Sequence, residues 1–231
     1  MIPTRESNYW YLRNHHLFKQ LTSKQLDQLQ IIVGFKQARK GEEIDFSSSS
    51  TSRIYFLKKG HLKLVTIDSD GNEVLNDIIQ QGDIFGELGM KNPDQSHEVA
   101  IALSEEVLLC SFLQSDFEQL LLQYPNLALS YTKWVGWQLK RVQNKYANLV
   151  SKDAKSRLLT FLKDWAEREG KIEGNEVYLL NYLTQTDIAK LICTSRQTAT
   201  LLLHELETAG LLQYHRKFIT IFDRTKLAAW H

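Results

Sequence analysis

The period of the apolar positions changes along this chain, and each change marks the start of a different kind of element. Between residues 13 and 31 apolar side chains recur at helical spacing, which predicts helical structure, and Thr22 or Ser23 can cap a helix that runs through Leu29. From about Phe35 to Phe112 the pattern becomes short apolar or alternating runs between turn signals. Such runs predict a small antiparallel barrel or roll.

Five strands are expected in that region, at residues 54–57, 61–65, 74–79, 99–103 and 107–112. Asp70-Gly71 is a strong hairpin signal, and Gln80-Gln81-Gly82-Asp83 is a second turn. The serine-rich stretch 47–52 is expected to form an exposed loop. A short helix is expected over residues 115–124.

The middle of the chain predicts one long helix with an apolar seam. Pro125 suits the first turn of a helix, and the seam ends near Ser151-Lys152-Asp153. The seam has the 4-3-4-3-4-3 spacing of a heptad repeat, and its members are Ala128, Thr132, Val135, Leu139, Val142, Tyr146 and Leu149. A helix packed on its own roll would also carry an apolar face. We favour pairing with a second copy, because five basic and no acidic residues leave this stretch few other apolar faces.

The segment from Leu183 to Leu212 predicts two short helices joined by a tight turn. Thr184 and Asp187 can cap the first helix, and Thr194–Gln197 matches a capping box for the second. Gly210 suits the left-handed end of that second helix. Its outer front is polar and carries Ser195, Arg196, Gln197 and Thr200. A helix-turn-helix protein inserts this end of its second helix into the major groove of DNA.

The surrounding pattern completes a winged helix. Asp153 can cap a helix over residues 154–169, and residues 170–175 are expected to be a loop. After the two helices, residues 211–214 and 218–221 look like two strands around His215-Arg216-Lys217. The wing tip would carry its positive charges toward a phosphate backbone.

Composition limits the function classes. Hydrophobic residues make up 43% of the 231 positions, which is enough for a proper core. No apolar run approaches the roughly 20 residues that cross a bilayer, and the N-terminus lacks a signal-peptide pattern. We therefore expect a cytoplasmic protein with no membrane partner. Two isolated cysteines, Cys110 and Cys193, are too few for a disulfide framework or a zinc knuckle.

Charge is unevenly distributed, although the net charge is only +1. Residues 1–124 carry 12 Lys and Arg against 17 Asp and Glu, residues 125–152 carry 5 against none, and residues 153–231 carry 11 against 10. The C-terminal part is thus not strongly basic, so attraction to phosphate depends on local placement. The expectation of DNA binding therefore rests on the helix pattern.

The order of helix, antiparallel roll, heptad helix and winged helix resembles the cyclic-AMP receptor (Crp/Fnr) family of bacterial regulators, from about Leu17 to Phe222. Two stretches carry the resemblance most specifically, Gln81-Gly82-Asp83-Ile84-Phe85-Gly86-Glu87-Leu88-Gly89 and Thr194-Ser195-Arg196-Gln197-Thr198. It implies an α+β fold with three parts. These are a jelly-roll, cyclic-nucleotide-binding-like β-roll at 1–124, a dimerisation helix at 125–152 and a winged helix-turn-helix domain at 153–231.

The resemblance also implies a way of binding double-stranded DNA. Thr194 and Ser195 would contact phosphate or cap the helix, and Arg196 and Gln197 would reach base edges. Arg216 and Lys217 in the wing would hold the backbone. A homodimer would place two such helices about 34 Å apart, which predicts a near-palindromic operator. RNA polymerase is a further expected partner.

One departure concerns the base-reading residues. Nucleotide-receptor members usually carry Glu at the position of Gln197 and Arg one turn later, where this chain has Leu201. We therefore expect the DNA sequence that this chain reads to differ from theirs.

The resemblance assigns an effector site to the roll. Gly86-Glu87-Leu88 would begin the short helix of a phosphate-binding cassette, with Glu87 accepting from a ribose hydroxyl. The Arg-Ser pair that would clamp a cyclic phosphate is replaced here by His97 and Glu98. Val142 and Gln143 stand at the long-helix positions that would contact adenine. The resemblance thus implies the cassette fold without cyclic-AMP binding, and leaves the small-molecule effector unknown.

No cofactor, metal site or catalytic set is predicted. An iron–sulfur cluster would need several cysteines near the N-terminus, where none occurs. Haem would need one of the histidines on the expected loops and strands, namely His15, His16, His61 or His97. A redox switch at Cys193 is a further possibility, but a cysteine at that place is more often a small core residue.

Two other function classes stay open beside a DNA-binding regulator. A cupin-type enzyme would need a clustered His-x-His pair, which the sequence lacks, so we expect no enzyme activity. The other class is a sensor for a cyclic nucleotide or another small molecule whose winged domain binds protein rather than DNA.

Overall fold

Two antiparallel sheets form the N-terminal roll, as the turn signals predict. The computed structural model describes residues 11–32, 34–45, 52–67, 71–86 and 97–229. Its strands here are β1 (Gly34–Ala38), β2 (Glu43–Asp45), β3 (Arg53–Lys59), β4 (Leu62–Ile67), β5 (Glu73–Ile79), β6 (Ile84–Gly86), β7 (His97–Ala102) and β8 (Val107–Leu113). One sheet has the order β1-β8-β3-β6 and the other β2-β7-β4-β5.

The five expected strands are confirmed as β3, β4, β5, β7 and β8, whereas β1, β2 and β6 were not resolved by the pattern. These three strands are only three to five residues long, which is too short to show a clear alternation of apolar and polar residues in the sequence. Pairing of Ile67 with Glu73 confirms the hairpin around Gly71, although Asp70 lies outside the described residues. The expected serine-rich loop at residues 47–52 also lies outside the described residues, except for Ser52.

The core of the roll lies between the two sheets. Tyr55 and Leu57 from β3 meet Leu62 from β4 and Ala100 from β7, all of them buried. The rings of Tyr55 and Phe85 stack with centroids 5.2 Å apart. Removing this apolar surface from water is the main force that closes the two sheets on each other.

The helix predicted over residues 13–31 is wrong in its extent. A helical turn covers residues 11–14, the chain then turns, and α1 (Ser23–Ile32) follows. Leu17 and Phe18 lie in the interrupted part and are fully buried, so tertiary packing overrides the helical period. The predicted cap at Thr22 is confirmed, because the Thr22 backbone amide donates to Gln25 Oε1 at 2.8 Å and Thr22 Oγ1 accepts from the Gln25 backbone amide at 3.4 Å at the start of α1.

The β1-β8-β3-β6 sheet is buried on its outer face as well. Two helices follow it, α2 (Gln114–Gln123) and α3 (Pro125–Ser151). Phe56 and Phe112 from the sheet pack against Phe117 of α2 in one buried cluster. The N-terminal segment and the start of α3 complete that cluster, so this sheet has apolar partners on both sides.

His15 anchors the N-terminal segment to a turn of the roll. Its side chain is 4% exposed, with Nε2 at 3.0 Å from the Gly82 carbonyl oxygen and Nδ1 at 3.3 Å from the Leu17 amide nitrogen. Only a neutral imidazole can donate from Nε2 and accept at Nδ1. Burial, and then the neighbouring His16, lower the pKa of His15 to about 3, against the opposing effect of the Gly82 hydrogen bond.

We expect His15 to make the protein less stable as the pH falls. Above the ordinary pKa of 6.5 the imidazole is neutral in both states, whereas between 6.5 and about 3 only the unfolded chain takes up the proton. This residue should therefore remove about 2 kcal/mol of unfolding free energy between pH 7 and pH 5. Urea titrations of the wild type and His15→Gln at both pH values measure the effect, which the variant should lack. An equal pH dependence in the two proteins would contradict a buried neutral histidine.

Helix α3 has two different apolar faces. Leu127 is buried, and Tyr131 and Trp134 pack against the outer cluster of the roll. The predicted seam lies elsewhere on the helix and is exposed in its larger members, which are Val135 (43%), Leu139 (58%), Val142 (62%), Tyr146 (69%) and Leu149 (44%). Packing on the roll therefore uses a separate set of residues from the seam. The chain divides into two compact units between Lys140 and Arg141, inside this helix.

The second unit contains the predicted winged helix. Its elements are α4 (Ala154–Glu169), β9 (Lys171–Glu173), β10 (Glu176–Leu180), α5 (Gln185–Leu191), α6 (Arg196–Thr208), β11 (Leu212–Tyr214), β12 (Phe218–Ile221) and α7 (Arg224–Ala229). The strands form one sheet in the order β11-β12-β10-β9. No helix within the described ranges combines the length and the apolar character needed to cross a membrane.

The limits of this unit confirm one expectation and correct another. Asp153 caps α4 as predicted, with Oδ1 accepting from the Ser156 amide at 2.8 Å. The loop expected over residues 170–175 is wrong, because β9 and β10 form a hairpin there and Gly174 takes φ +63° at its turn. The pattern missed β9 because its three residues are all exposed and show no alternation.

Candidate nucleic-acid interface

The first helix of the predicted motif begins as the sequence indicates. Thr184 Oγ1 accepts from the Asp187 amide at 3.1 Å, and Asp187 Oδ2 accepts from the Thr184 amide at 3.0 Å. This reciprocal box satisfies two amides that have no helical partner. Ile188, Ala189 and Ile192 are buried, so α5 is fixed against the rest of the unit.

The second helix is capped one residue later than predicted. Ser195 is the N-cap of α6, and its hydroxyl accepts from the Thr198 amide at 3.1 Å. The capping box expected at Thr194–Gln197 is wrong, because the Thr194 amide already donates to the Ala189 carbonyl at 2.9 Å and helps to close α5. As a result Gln197 takes no part in the cap and lies exposed on the front of α6.

The turn between α5 and α6 is a Schellman motif with a cysteine at the position that glycine usually takes. Cys193 has φ +51°, and its amide donates to the Lys190 carbonyl at 3.1 Å. A residue with a Cβ pays about 1 kcal/mol for this left-handed conformation. Cys193 is exposed, so its interpretation as a small core residue is wrong.

Arg157 of α4 holds this turn in place through three backbone carbonyl groups. Its Nε donates to the Ile192 oxygen at 2.7 Å and its Nη2 to the Cys193 oxygen at 3.1 Å. Its Nη1 donates to the Lys152 oxygen at 2.6 Å. The carbonyls at a helix end have no intrahelical partner, and charge-assisted donors satisfy them strongly. A single guanidinium thus joins the segment before α4 to the turn that positions α6.

We expect Arg157→Ala to lower the unfolding free energy by about 2–4 kcal/mol, because three carbonyls lose a charged donor. Arg157→Lys should recover only part of this, since an ammonium group lacks the planar fork. Urea denaturation followed by tryptophan fluorescence measures both changes. Lys163→Ala, at an exposed position of the same helix, is the control and should stay within about 0.5 kcal/mol of the wild type, because its ion pair with Glu167 is solvent-exposed. A loss in Arg157→Ala as small as in that control would show that the fork does not hold the turn.

An open groove of about 830 Å³ runs along the exposed side of α6. It brings together four predicted DNA-contact residues and three that sequence reasoning did not single out as contacts. The lining consists of Gln185, Ser195, Arg196, Gln197, Thr200, Leu201 and His204. The Thr200 hydroxyl lies 2.9 Å from both Gln185 Oε1 and the Arg196 carbonyl oxygen, which ties the two helices together beside the groove.

Two of the three missed residues had a signal in the sequence. Leu201 and His204 follow Gln197 by four and seven positions, which places all three on one face of a helix. Gln185 opens α5, and only the packing of α5 beside α6 brings it to the groove. The predicted contact Thr194 lies half-buried in the turn, next to the cap.

The wing tip is rigidly braced and exposes its two cations. Arg216 and Lys217 are both exposed in the connection between β11 and β12. The buried Asn181 donates from Nδ2 to the His215 carbonyl at 2.9 Å and from its amide to the Lys217 carbonyl at 3.0 Å. The rings of His215 and Phe218 stack with centroids 4.4 Å apart. The tip therefore presents positive charge from a fixed backbone.

The residues assigned to an effector fall in three places. Gly86 ends β6 with φ +104°, and a Cβ there would lie 2.4 Å from the Arg53 carbonyl oxygen, so the close approach requires glycine. Glu87, Leu88 and the side chain of His97 lie outside the described residues. Glu98 is half-buried on β7 and accepts from Asn76 Nδ2 at 2.7 Å. Val142 and Gln143 are exposed on the part of α3 that belongs to the second unit.

Both units of the chain match known families of protein domains. A cyclic nucleotide-binding domain model matches residues 35–124, and a Crp-like helix-turn-helix domain model matches residues 156–230. A CRP-like cAMP-activated global transcriptional regulator from Mycobacterium tuberculosis is 27% identical over 206 residues, which cover 89% of this chain and 88% of that protein. A global nitrogen regulator from Synechococcus elongatus is 27% identical, with 92% and 94% covered.

The fold agrees with solved structures of similar proteins. The structure of a CooA mutant from Carboxydothermus hydrogenoformans superposes with a TM-score of 0.70 at 22% identity, covering 86% of this chain and 87% of that one. These comparisons favour neither an enzyme nor a protein-binding winged domain. The chain belongs to the cyclic-AMP receptor (Crp/Fnr) family of helix-turn-helix transcription regulators.

Proposed function

We propose that this chain regulates transcription as a homodimer that reads a near-palindromic operator with the front of α6. The observation that carries the proposal is the groove in which Ser195, Arg196, Gln197 and Thr200 lie together on one exposed side. An arginine fork pairs with guanine O6 and N7, and a glutamine amide pairs with adenine N6 and N7. The capped N-terminus of α6 adds the positive end of a helix dipole beside the phosphates.

The wing supplies the part of the binding that does not depend on sequence. Arg216 and Lys217 are exposed on a braced tip, where they would neutralise phosphate groups and release counterions. Bulk charge cannot supply this attraction, because residues 153–231 carry 11 basic against 10 acidic side chains. Local placement of the wing cations and of the capped N-terminus of α6 therefore provides it.

The roll, in our proposal, responds to a small molecule other than cyclic AMP. Support comes from the absence of arginine between Gly60 and Tyr131 in the sequence. A second support is the half-buried carboxylate of Glu98, which would repel a cyclic phosphate where the family pattern places a serine. The effector would act by changing how α3 presents the two winged domains, and the bound dimer would contact RNA polymerase.

We expect Arg196→Ala to lower affinity for a duplex selected from a random pool by about 1–3 kcal/mol and to change little on scrambled duplex. Lys217→Ala should weaken both duplexes about equally, because it removes a phosphate contact. Fluorescence anisotropy of labelled duplexes measures each affinity, and cyclic AMP should leave all of them unchanged. Lys163→Ala, at an exposed position of α4, is the control. Equal losses on both duplexes for Arg196→Ala would refute its base-reading role.

We expect the exposed seam of α3 to form the dimer interface. Leu139→Lys would place a charge in that apolar contact, so the variant should sediment as a monomer at about 10 μM, where the wild type is a dimer. The monomer should also bind the selected duplex at least about tenfold more weakly, because one half-site is lost. Leu122→Lys is the matched control, since Leu122 is 76% exposed on α2 and lies outside the seam. A dimeric Leu139→Lys variant would rule out the seam as the interface.

A further inference from the structure

One apolar side chain lies among the polar side chains that line the groove along α6. Leu201 is 58% exposed and shares the groove with Arg196, Gln197 and His204. The apolar face of this helix points elsewhere, and its members are at most 8% exposed; they are Ala199, Leu202, Leu203 and Leu206. Leu201 therefore contributes little to the core of the folded unit.

The position of Leu201 places it beside the base edges that we assign to its neighbours. It follows Gln197 by four residues, so the two side chains share one helix face about one turn apart. One turn rises 5.4 Å, which is roughly one and a half base-pair steps along DNA. Leu201 should thus face a base pair within one or two steps of the pair that Gln197 contacts.

The chemistry of the major groove leaves an isobutyl group one favourable partner. Base edges there present hydrogen-bond donors and acceptors, and the single apolar group among them is the 5-methyl group of thymine. Leucine has no donor or acceptor of its own. The adjacent Thr200 brings little polar competition, because its hydroxyl is engaged with Gln185 Oε1 and the Arg196 carbonyl.

We propose that Leu201 selects a thymine in each half of the operator by packing against its 5-methyl group. This inference rests on the proposed binding of α6 in the major groove. Burial of one methyl group corresponds to about a fourfold change in affinity. The contact is thus a specificity determinant that adds to the hydrogen bonds of Arg196 and Gln197.

The test uses the full-length protein and a duplex enriched by it from a pool with about 30 randomised base pairs, three helical turns. Each thymine of one half-site is replaced in turn by deoxyuridine, which removes only the 5-methyl group. We expect one replacement, near the base pair at which Gln197→Ala changes specificity, to weaken wild-type binding about fourfold. Leu201→Ala should bind the thymine and deoxyuridine duplexes equally well. Leu180→Ala, at a leucine 66% exposed on β10, should keep the wild-type difference.

Two results would overturn the inference while DNA binding stands. One is a wild type that is insensitive to deoxyuridine at every thymine of the half-site. The other is a Leu201→Ala variant that keeps the wild-type sensitivity, which would assign the methyl contact to another residue. Failure to enrich any duplex would instead refute the proposed function and this inference with it. Thermal melting of Leu201→Ala checks that the exposed position leaves the fold unchanged.

Discussion

The hydrogen-bond fork of Arg157 is the constraint on which the exposed front of α6 depends. Helix α5 has only seven residues, too few to be stable alone, and the turn after it places Cys193 at a positive φ. The guanidinium satisfies the Ile192 and Cys193 carbonyls and the Lys152 carbonyl together. The strained turn is therefore fixed from α4, and the direction of α6 follows from that turn.

A second consequence of this turn concerns which side chains reach the groove. Because the Thr194 amide closes α5, the cap of α6 moves to Ser195 and Gln197 stays outside it. A cap at Thr194 would have drawn Gln197 back toward the backbone. The exposed row of Arg196, Gln197 and Leu201 thus results from the way α5 ends. One backbone amide thus links the end of α5 to the choice of side chains on the exposed front of α6.

The roll shows how a single sheet can organise several elements. The β1-β8-β3-β6 sheet packs against its partner sheet on one face and against α2, α3 and the N-terminal segment on the other. Tyr131 and Trp134 hold α3 to the roll, while the seam from Val135 to Leu149 stays exposed. Because the two faces are separate, α3 can pack on its own roll while its seam stays exposed for the dimer contact that we propose.

Local signals in the sequence were sufficient to locate helix ends, because a capping residue is favoured at one position of a helix terminus. Asp153, Thr184 and Gly210 mark helix ends in the structure as they do in the sequence, because caps depend on neighbours within four residues. The signals failed where distant contacts compete with the local period. Leu17 and Phe18 keep helical spacing, but the roll core takes both and interrupts the helix. The exposed β9 lacks alternation, and only its partner β10 makes it a strand.

The sequence by itself determined the order of elements, the family and four of the residues that line the groove, since these depend on period, caps and motif. The tertiary structure alone decided the cap at Ser195, the fork from Arg157 and the meeting of Gln185 with α6. Each of these joins residues far apart in the chain or competing for one amide. The spacing of residues within a helix does not specify these contacts. They depend on which hydrogen-bond partner the packing of distant segments brings close enough.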